Sequence, residues 1–343
     1  MKARPTIYDV ARVAGVSTAT VSRALNGTGQ IAPATRRAID AAVEQLGYRP
    51  NTIARSLVTK STQTIGLLLP DITNPFYAAL VDGIQQRALE REHTILLCTT
   101  EGDPEREEVY LDLLRSKQVD GALAVGLVLS ADRIERFAAD GFPIVCLDRD
   151  VASRAVPLVQ VDNRRGATMA TEHLLSLGHS RIAHVTGTPT LKISDDRIAG
   201  YREALTQAGV SVDPDLLATG EFNEESGYEA ARALLAETDA TAVFAANDLS
   251  AIGVLNAIAE AGLRVPADIS VIGFDDLRLS RYTTPALTTI RQPAREIAER
   301  ATQILFDMTE GKRIRSRHIL VEPELVVRDS TAQARRRRAR RKA

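Results

Sequence analysis

The sequence predicts an α/β protein carrying a small, all-helical head. Three observations lead there. Residues 1–49 read as three short capped helices. From residue 62 onward, short β-branched or leucine-rich runs alternate with amphipathic segments, in two successive sets. Positive charge is concentrated at the front of the chain, although the net charge over 343 residues is only −1. Strands alternating with helices at this spacing predict parallel sheets wound with helices, and two sets imply two lobes.

In the head, Thr6 and Asp9 form a T-x-x-D capping pattern before an apolar stripe of Ile7, Val10, Ala11 and Ala14. Gly15 supplies a turn and Ser17 caps a second helix, whose inner face is Val21, Ala24 and Leu25. Pro33 suits the first position of a third helix, closed by Gly47, with Ala32 a poor cap at its start. A helix, a short turn and a second helix braced by a third make a helix-turn-helix. The outer face of helix 17–25 is small at its start (Thr18, Ala19) and cationic further along (Arg23). Such a face suits the DNA major groove. Thr18 and Ala19 would lie near base edges, and Arg23 would reach guanine bidentately. Tyr8, Ser17 and Asn26 would hold phosphates, fixing register without reading sequence. The plainer reading of Arg23 is phosphate neutralisation alone.

Residues 1–60 hold nine lysines and arginines against three acidic residues, and the run 335–343 adds seven more basic residues. The segment between is strongly acidic, so only the head is expected to meet a polyanion. Residues 335–343 lack apolar periodicity and should be disordered. They either add salt-sensitive DNA affinity or form an inert solvated end. Residues 50–61 form a linker in which TIARSLV allows two helical turns, marginal in isolation. It is a plain connector or a segment that folds on a partner.

With 44% hydrophobic and 25% charged residues, the composition is that of an ordinary globular protein with ample core. No apolar run approaches the ~18 residues of a membrane span, and the first residues lack a secretory pattern. A cytoplasmic location is therefore expected. Cys98 and Cys146 lie in apolar strand-like runs and read as buried free thiols. The five histidines show no metal-ligand spacing, so no metal or cofactor is expected.

In the body, TIGLLLP is followed by DITNPFY, PIVCLD by RD, TAVFAAN by DLS and ISVIGF by DD; Gln292 follows LTTIR. Ligands of open parallel sheets bind beyond the carboxyl ends of the strands. One Asp there would be a helix cap; five such positions beside Phe76 and Tyr77 point to a shared cleft. Carboxylates, amides and an arginine (Arg197) beside aromatic rings suit a sugar, whose hydroxyls need donors and acceptors and whose C–H faces need flat apolar contact. Asp148 and Asp275 could instead be the carboxylate pair of a glycosidase. There is no phosphate-cradling G-x-x-x-x-G-K-[ST] and no nucleophile elbow, so an enzyme is not expected.

The segment TIYDVARVAGVSTATVSRALNG, with ATRRAIDAAVEQLGYRPNTIARSL after it, resembles the DNA-binding head of the LacI/GalR-type family of transcriptional regulators. The likeness continues through IGLLLPDITNPFY, LGHSRIAHVTG, DRIAGYREAL, AVFAANDLSAIGVL, ISVIGFDD and PALTTIRQP, and covers residues 6 to about 328. It implies a periplasmic-binding-protein-like body over 62–334. The first lobe would take about 62–162 and 292–321, and the second about 163–291 and 322–334. It implies that Asn74, Phe76, Tyr77, Asp148, Arg149, Arg197, Asn247, Asp275 and Gln292 fall on effector-binding positions. Asp148 with Arg149, and Gln292, match a ribose-type pattern, while the absence of tryptophan leaves any stacking to Phe or Tyr. It also implies that Leu57 is a hinge leucine entering the minor groove. The expectation is a sugar-responsive regulator, a repressor binding palindromic operator DNA as a homodimer. A solute-binding transport protein shares the body but would need a signal peptide and no basic head.

Overall fold

Thr6 and Asp9 start the first helix as a reciprocal cap, the Asp9 carboxylate accepting the Thr6 backbone N–H at 2.9 Å. The computed structural model describes residues 5–27, 29–49, 61–116, 119–126, 128–129, 131–148, 155–189 and 191–334. The linker helix at 51–58 with Leu57, the candidate Arg149 and the basic run 335–343 lie outside the described residues. In the head, α1 (Ile7–Ala14) ends at Gly15, whose left-handed φ of 66° turns the chain into α2 (Thr18–Leu25). Helix α3 (Pro33–Leu46) starts without a side-chain cap at Ala32 and ends at left-handed Gly47. The three helices bury Val10, Ala11, Val21, Ala24, Ile39 and Ala42 in a core of their own. Arg36 of α3 donates to the Ala24 carbonyl at 2.7 Å, tying the end of α2.

The body holds two six-stranded sheets. The first contains β1 (Thr64–Leu69), β2 (Thr94–Thr99), β3 (Ala122–Val125), β4 (Ile144–Leu147), β5 (Leu158–Val161) and β11 (His318–Val321), in the order β11-β5-β4-β3-β1-β2. The second contains β6 (Ile182–Val185), β7 (Leu217–Ala218), β8 (Ala242–Ala245), β9 (Ser270–Asp275), β10 (Thr288–Arg291) and β12 (Glu324–Val326), in the order β12-β10-β9-β8-β6-β7. Strand β12 runs antiparallel to β10, whereas β9 pairs parallel with β10. The central strands β3, β4, β5, β6 and β8 are buried on both faces, which is why they read as continuous apolar runs. Strand β2 differs. It is the edge, and Leu96 and Leu97 stand exposed.

Helices α4 (Pro75–Leu89), α5 (Pro104–Ser116) and α6 (Ala131–Ala139) follow β1, β2 and β3. Helices α7 (Asn163–Ser176), α8 (Lys192–Gln207), α9 (Glu224–Glu237) and α10 (Asp248–Glu260) belong with the second sheet, and α11 (Ala294–Thr309) packs on β3, β4 and β5 of the first. The chain passes between sheets at Asp162–Asn163, at Gln292–Pro293 and between β11 and β12. In each sheet the first strand has neighbours that continue in opposite directions, β2 and β3 about β1, β7 and β8 about β6. Loops leaving these strands diverge and open a crevice at their carboxyl ends. Cys98 and Cys146 are buried and form no disulfide. Among the described residues, no helix is long and apolar enough to cross a membrane.

Candidate functional site

In the head, the buried stripe of α2 leaves the opposite side outward. Ser17 spends its hydroxyl as the cap, accepting the Thr20 N–H at 3.1 Å. Ala19 and Arg23, one turn apart, are exposed, and the Arg23 Nε–H lies 3.4 Å from the Ala19 carbonyl. Thr18 is half-buried at the amino end. Half-buried Asn26, the carboxyl cap, donates to the Ser22 hydroxyl at 3.3 Å, and Tyr8 on α1 is 72% exposed. A rigid helix therefore presents small residues first and a cation one turn later.

In the body, a cleft of about 910 Å³ opens where both sheets end. Pro70, Asn74, Tyr77 and Asp148 line it from the first sheet's loops, and Leu191, Phe222 and Leu249 from the second's. Asn74 caps α4, its Oδ1 accepting the Phe76 N–H at 3.0 Å. Phe76 itself turns into the core, edge-on to Tyr77 at 5.5 Å, and does not line the cleft. Asp148 follows β4 with a left-handed φ of 52°, is 5% exposed, and its Oδ1 has no hydrogen-bond partner. Burial pushes its carboxyl up to about 6, with Arg197 pulling the other way.

Arg197, 2% exposed, donates from Nε to Asn163 Oδ1 at 3.0 Å and from Nη1 to the Ala246 carbonyl at 2.5 Å. Its guanidinium lies 3.8 Å from the Phe274 ring centroid. Desolvation lowers its pKa; Asp275 and Asp148 oppose that. Asp275, 7% exposed at the end of β9, accepts the Gln292 Nε2–H at 2.6 Å, and burial raises its carboxyl well above the usual range. The Gln292 Oε1 is buried without a partner. Tyr77 feels the same groups, its phenol pushed up first by burial and then by Asp148 and Asp275. Tyr77, Asp148, Arg197, Asp275 and Gln292 are thus one cluster, drawn from both sheets.

Asn247 stands differently. Its Oδ1 accepts the Ser250 N–H and its Nδ2 donates to the Phe222 carbonyl, both at 2.9 Å, so its amide is used inside the protein. That second bond holds Phe222 at a left-handed φ of 61° with its ring in the cleft wall. Sequence reasoning misses Phe222. The cap signature beside it belongs to Asn223, and nothing local marks a single Phe in a loop. Asn163, the partner of Arg197 at the first crossover, is missed for the same reason. No group of three or more His, Cys, Asp or Glu side chains among the described residues is placed to hold a metal ion.

Two family models match the chain. "Bacterial regulatory proteins, lacI family" covers residues 6–51, and "Periplasmic binding protein-like domain" covers residues 171–331. The chain is 39% identical to the HTH-type transcriptional regulator DegA of Bacillus subtilis over 96% of its length and 98% of the relative's. It is 38% identical to the HTH-type transcriptional repressor PurR of Photobacterium profundum (95% and 98%) and 37% identical to the ribose operon repressor of Escherichia coli (95% and 99%). Among solved structures, the lac repressor dimer bound to operator superposes with a TM-score of 0.87 at 30% identity, covering 96% of this chain and 100% of that one. A cellobiose complex of the regulator CelR gives 0.73 at 34% identity, covering 95% and 100%. A ribose-bound LacI-family regulator from Enterococcus faecium gives 0.73 at 33% identity, covering 79% and 100%.

A helix-turn-helix head and a cleft-bearing body of two sheets define the class of two-part, DNA-binding transcription regulators. Within that class the chain belongs to the lacI family of bacterial regulatory proteins. It is a regulator of transcription, and its relatives are regulators rather than enzymes.

Proposed function

We propose that this protein is a cytoplasmic repressor that binds a palindromic operator as a homodimer and changes its affinity on binding a ribose-type monosaccharide. The observation that carries the effector reading is that Asp148, buried with a partnerless Oδ1, lines the cleft after β4 of the first sheet, while Asp275, buried and held by Gln292, stands at the end of β9 of the second behind the same wall. A polyol of pentose size contacting both carboxylates touches both sheets at once, and so binds one relative angle better than another. Without that difference in affinity a ligand shifts nothing. Tyr77 and Phe222 supply the flat apolar contact that sugar C–H faces need. The ribose operon repressor and the ribose-bound regulator support the pentose; the cellobiose complex is of a similar regulator with a larger sugar.

The homodimer is supported by the lac repressor dimer on operator, and by an uncovered apolar face. Edge strand β2 exposes Leu96 and Leu97, and α5 exposes Val109 and Leu113. Open edges of this kind are normally covered. The test is operator binding titrated with D-ribose. Asp275→Ala should keep operator affinity and lose the ribose response. A variant that responds at the parent's ribose concentration would remove Asp275 from the site.

A further inference from the structure

The charges around the cleft narrow the effector class further. Asp71, Glu101, Asp148, Glu221 and Glu224 all line it, and Lys192 is the one basic residue among its described lining residues. Lys192 is already paired with Asp196 of its own helix, and Arg106, near the rim, is paired with Glu101 at 2.7 Å. Behind the wall, Arg197 is balanced by both Asp148 and Asp275. The described residues that line the opening are therefore predominantly acidic.

Of the helix amino-terminal ends at the cleft, the usual seats for phosphate, three are taken by the protein's own groups, and the fourth, α8, which begins after Leu191 without a side-chain cap, carries Asp195 in its first turn. The Asn74 Oδ1 serves α4, the Asn223 Oδ1 accepts the Ser226 N–H of α9 at 2.8 Å, and the Asn247 Oδ1 serves α10. Glu224 and Glu225 add negative charge to the first turn of α9, and Asp248 does so for α10. The third observation concerns hydrogen bonding. The two side-chain atoms of the cluster that are buried without partners, Asp148 Oδ1 and Gln292 Oε1, are both acceptors. Such atoms are satisfied by a ligand that donates, and a phosphate or carboxylate group brings more acceptors.

We infer that the effector is a donor-rich small molecule without an anionic group, so that phosphorylated sugars and sugar acids are rejected. This rests on the cleft being the effector site, and it deepens that reading from sugar to unphosphorylated sugar. The experiment is a set of paired calorimetric titrations of the full-length protein at pH 7.5: D-ribose against D-ribose 5-phosphate, D-glucose against D-glucose 6-phosphate, and D-fructose against D-fructose 6-phosphate. In whichever pair binds, the phosphorylated partner should be weaker by about tenfold or more, and the gap should narrow with added salt as the rim carboxylates are screened. If D-ribose fails while another neutral sugar binds and its phosphate does not, the pentose reading falls and this inference stands. A phosphorylated sugar that binds as tightly as its neutral parent overturns the inference, whichever sugar it is.

Discussion

The carboxylate of Asp248 lies against the backbone of Gly273, so close that a methyl group on Gly273 would overlap its Oδ1. Asp248 is fully buried and accepts the Leu277 N–H at 2.8 Å, the Thr289 hydroxyl at 2.5 Å and the Ser280 hydroxyl. It thereby fastens the segment leaving β9, in which Asp275 (φ 127°) and Asp276 (φ 57°) both hold positive φ. Asp276 is clamped in turn by Arg291 at 2.8 Å and by Arg328. Two consecutive non-glycine residues in such conformations persist only when their surroundings hold them. Here the restraint aims Asp275 at Gln292 and Arg197.

Gly273→Ala should therefore act on stability and on ligand together. The added methyl must displace Asp248, at a cost of roughly 1–3 kcal/mol, and loosen the Asp275 segment. Urea denaturation should show a lower midpoint, and sugar titration a weaker affinity. An unchanged midpoint would mean that Asp248 moves aside freely.

The pH response has a fixed sign. Burial raises the folded pKa of Asp148 and of Asp248 to about 6, against 3.8 for the free carboxyl. Between those values the native state holds more protons than the unfolded chain, so this contribution to stability is present below pH 3.8 and is lost as pH rises through 6. Sugar hydroxyls donate to the ionised form of Asp148, so effector affinity should climb from pH 5 to pH 7, by at most about tenfold per unit. Asp148→Asn should flatten the affinity profile and remove only its own share of the stability profile, leaving that of Asp248; a parent-like affinity slope in that variant would take Asp148 out of contact with the ligand.

Arg23 carries the sequence-reading proposal. Binding-site selection with Arg23→Ala should relax the preference at one base position in each half-site. The loss expected for a bidentate guanine contact is roughly 1–3 kcal/mol. If the selected sequence is unchanged and only the salt dependence drops, Arg23 is a phosphate contact.

Leu57 lies in the linker between head and body. If it enters the minor groove as an apolar wedge, Leu57→Ala should weaken operator binding and reduce DNA bending, since kinking a base step costs a few kcal/mol that the wedge helps to offset. Sugar affinity and body stability should stay as they are. Gel mobility of circularly permuted operator fragments measures the bend; a parent-like bend would make Leu57 linker filler.

The head was legible almost to the residue because its signals are local: Ser17 as a cap, Gly15 and Gly47 as left-handed ends, and one apolar stripe per helix. Strands such as β3, β6 and β8 were legible because burial on both faces makes them apolar throughout, whereas β5, β7, β11 and β12 were not read. Nor were helices α7 and α9. Their buried residues are mostly small, Gly166, Ala167 and Ala170 in one, Gly227, Ala230 and Ala231 in the other. They meet their neighbours at backbone distance, with no room for a Cβ on Gly200 against α7 or on Gly253 against α9. Close packing of small residues replaces the large apolar stripe that periodicity detects. Helix α11 does carry such a stripe in Ile297, Ala301, Ile304 and Leu305, but its place on the first sheet comes from topology that no local window contains. In the cleft, Asn247 shows the limit of reading by position. It stands beyond a strand like the others, yet its amide is spent on Phe222 and Ser250.

The pairing of β11 with β5, Ile319 beside Val159, has a consequence for synthesis on the ribosome. The head has its own core and needs only local contacts, so it can fold as soon as it emerges. The first sheet must wait for α11 to cover β3, β4 and β5 and for β11 to close its edge, both encoded near the far end of the chain. A prematurely terminated chain would therefore pair a finished head with a body whose apolar face and strand edge are open, the state most prone to aggregation and proteolysis.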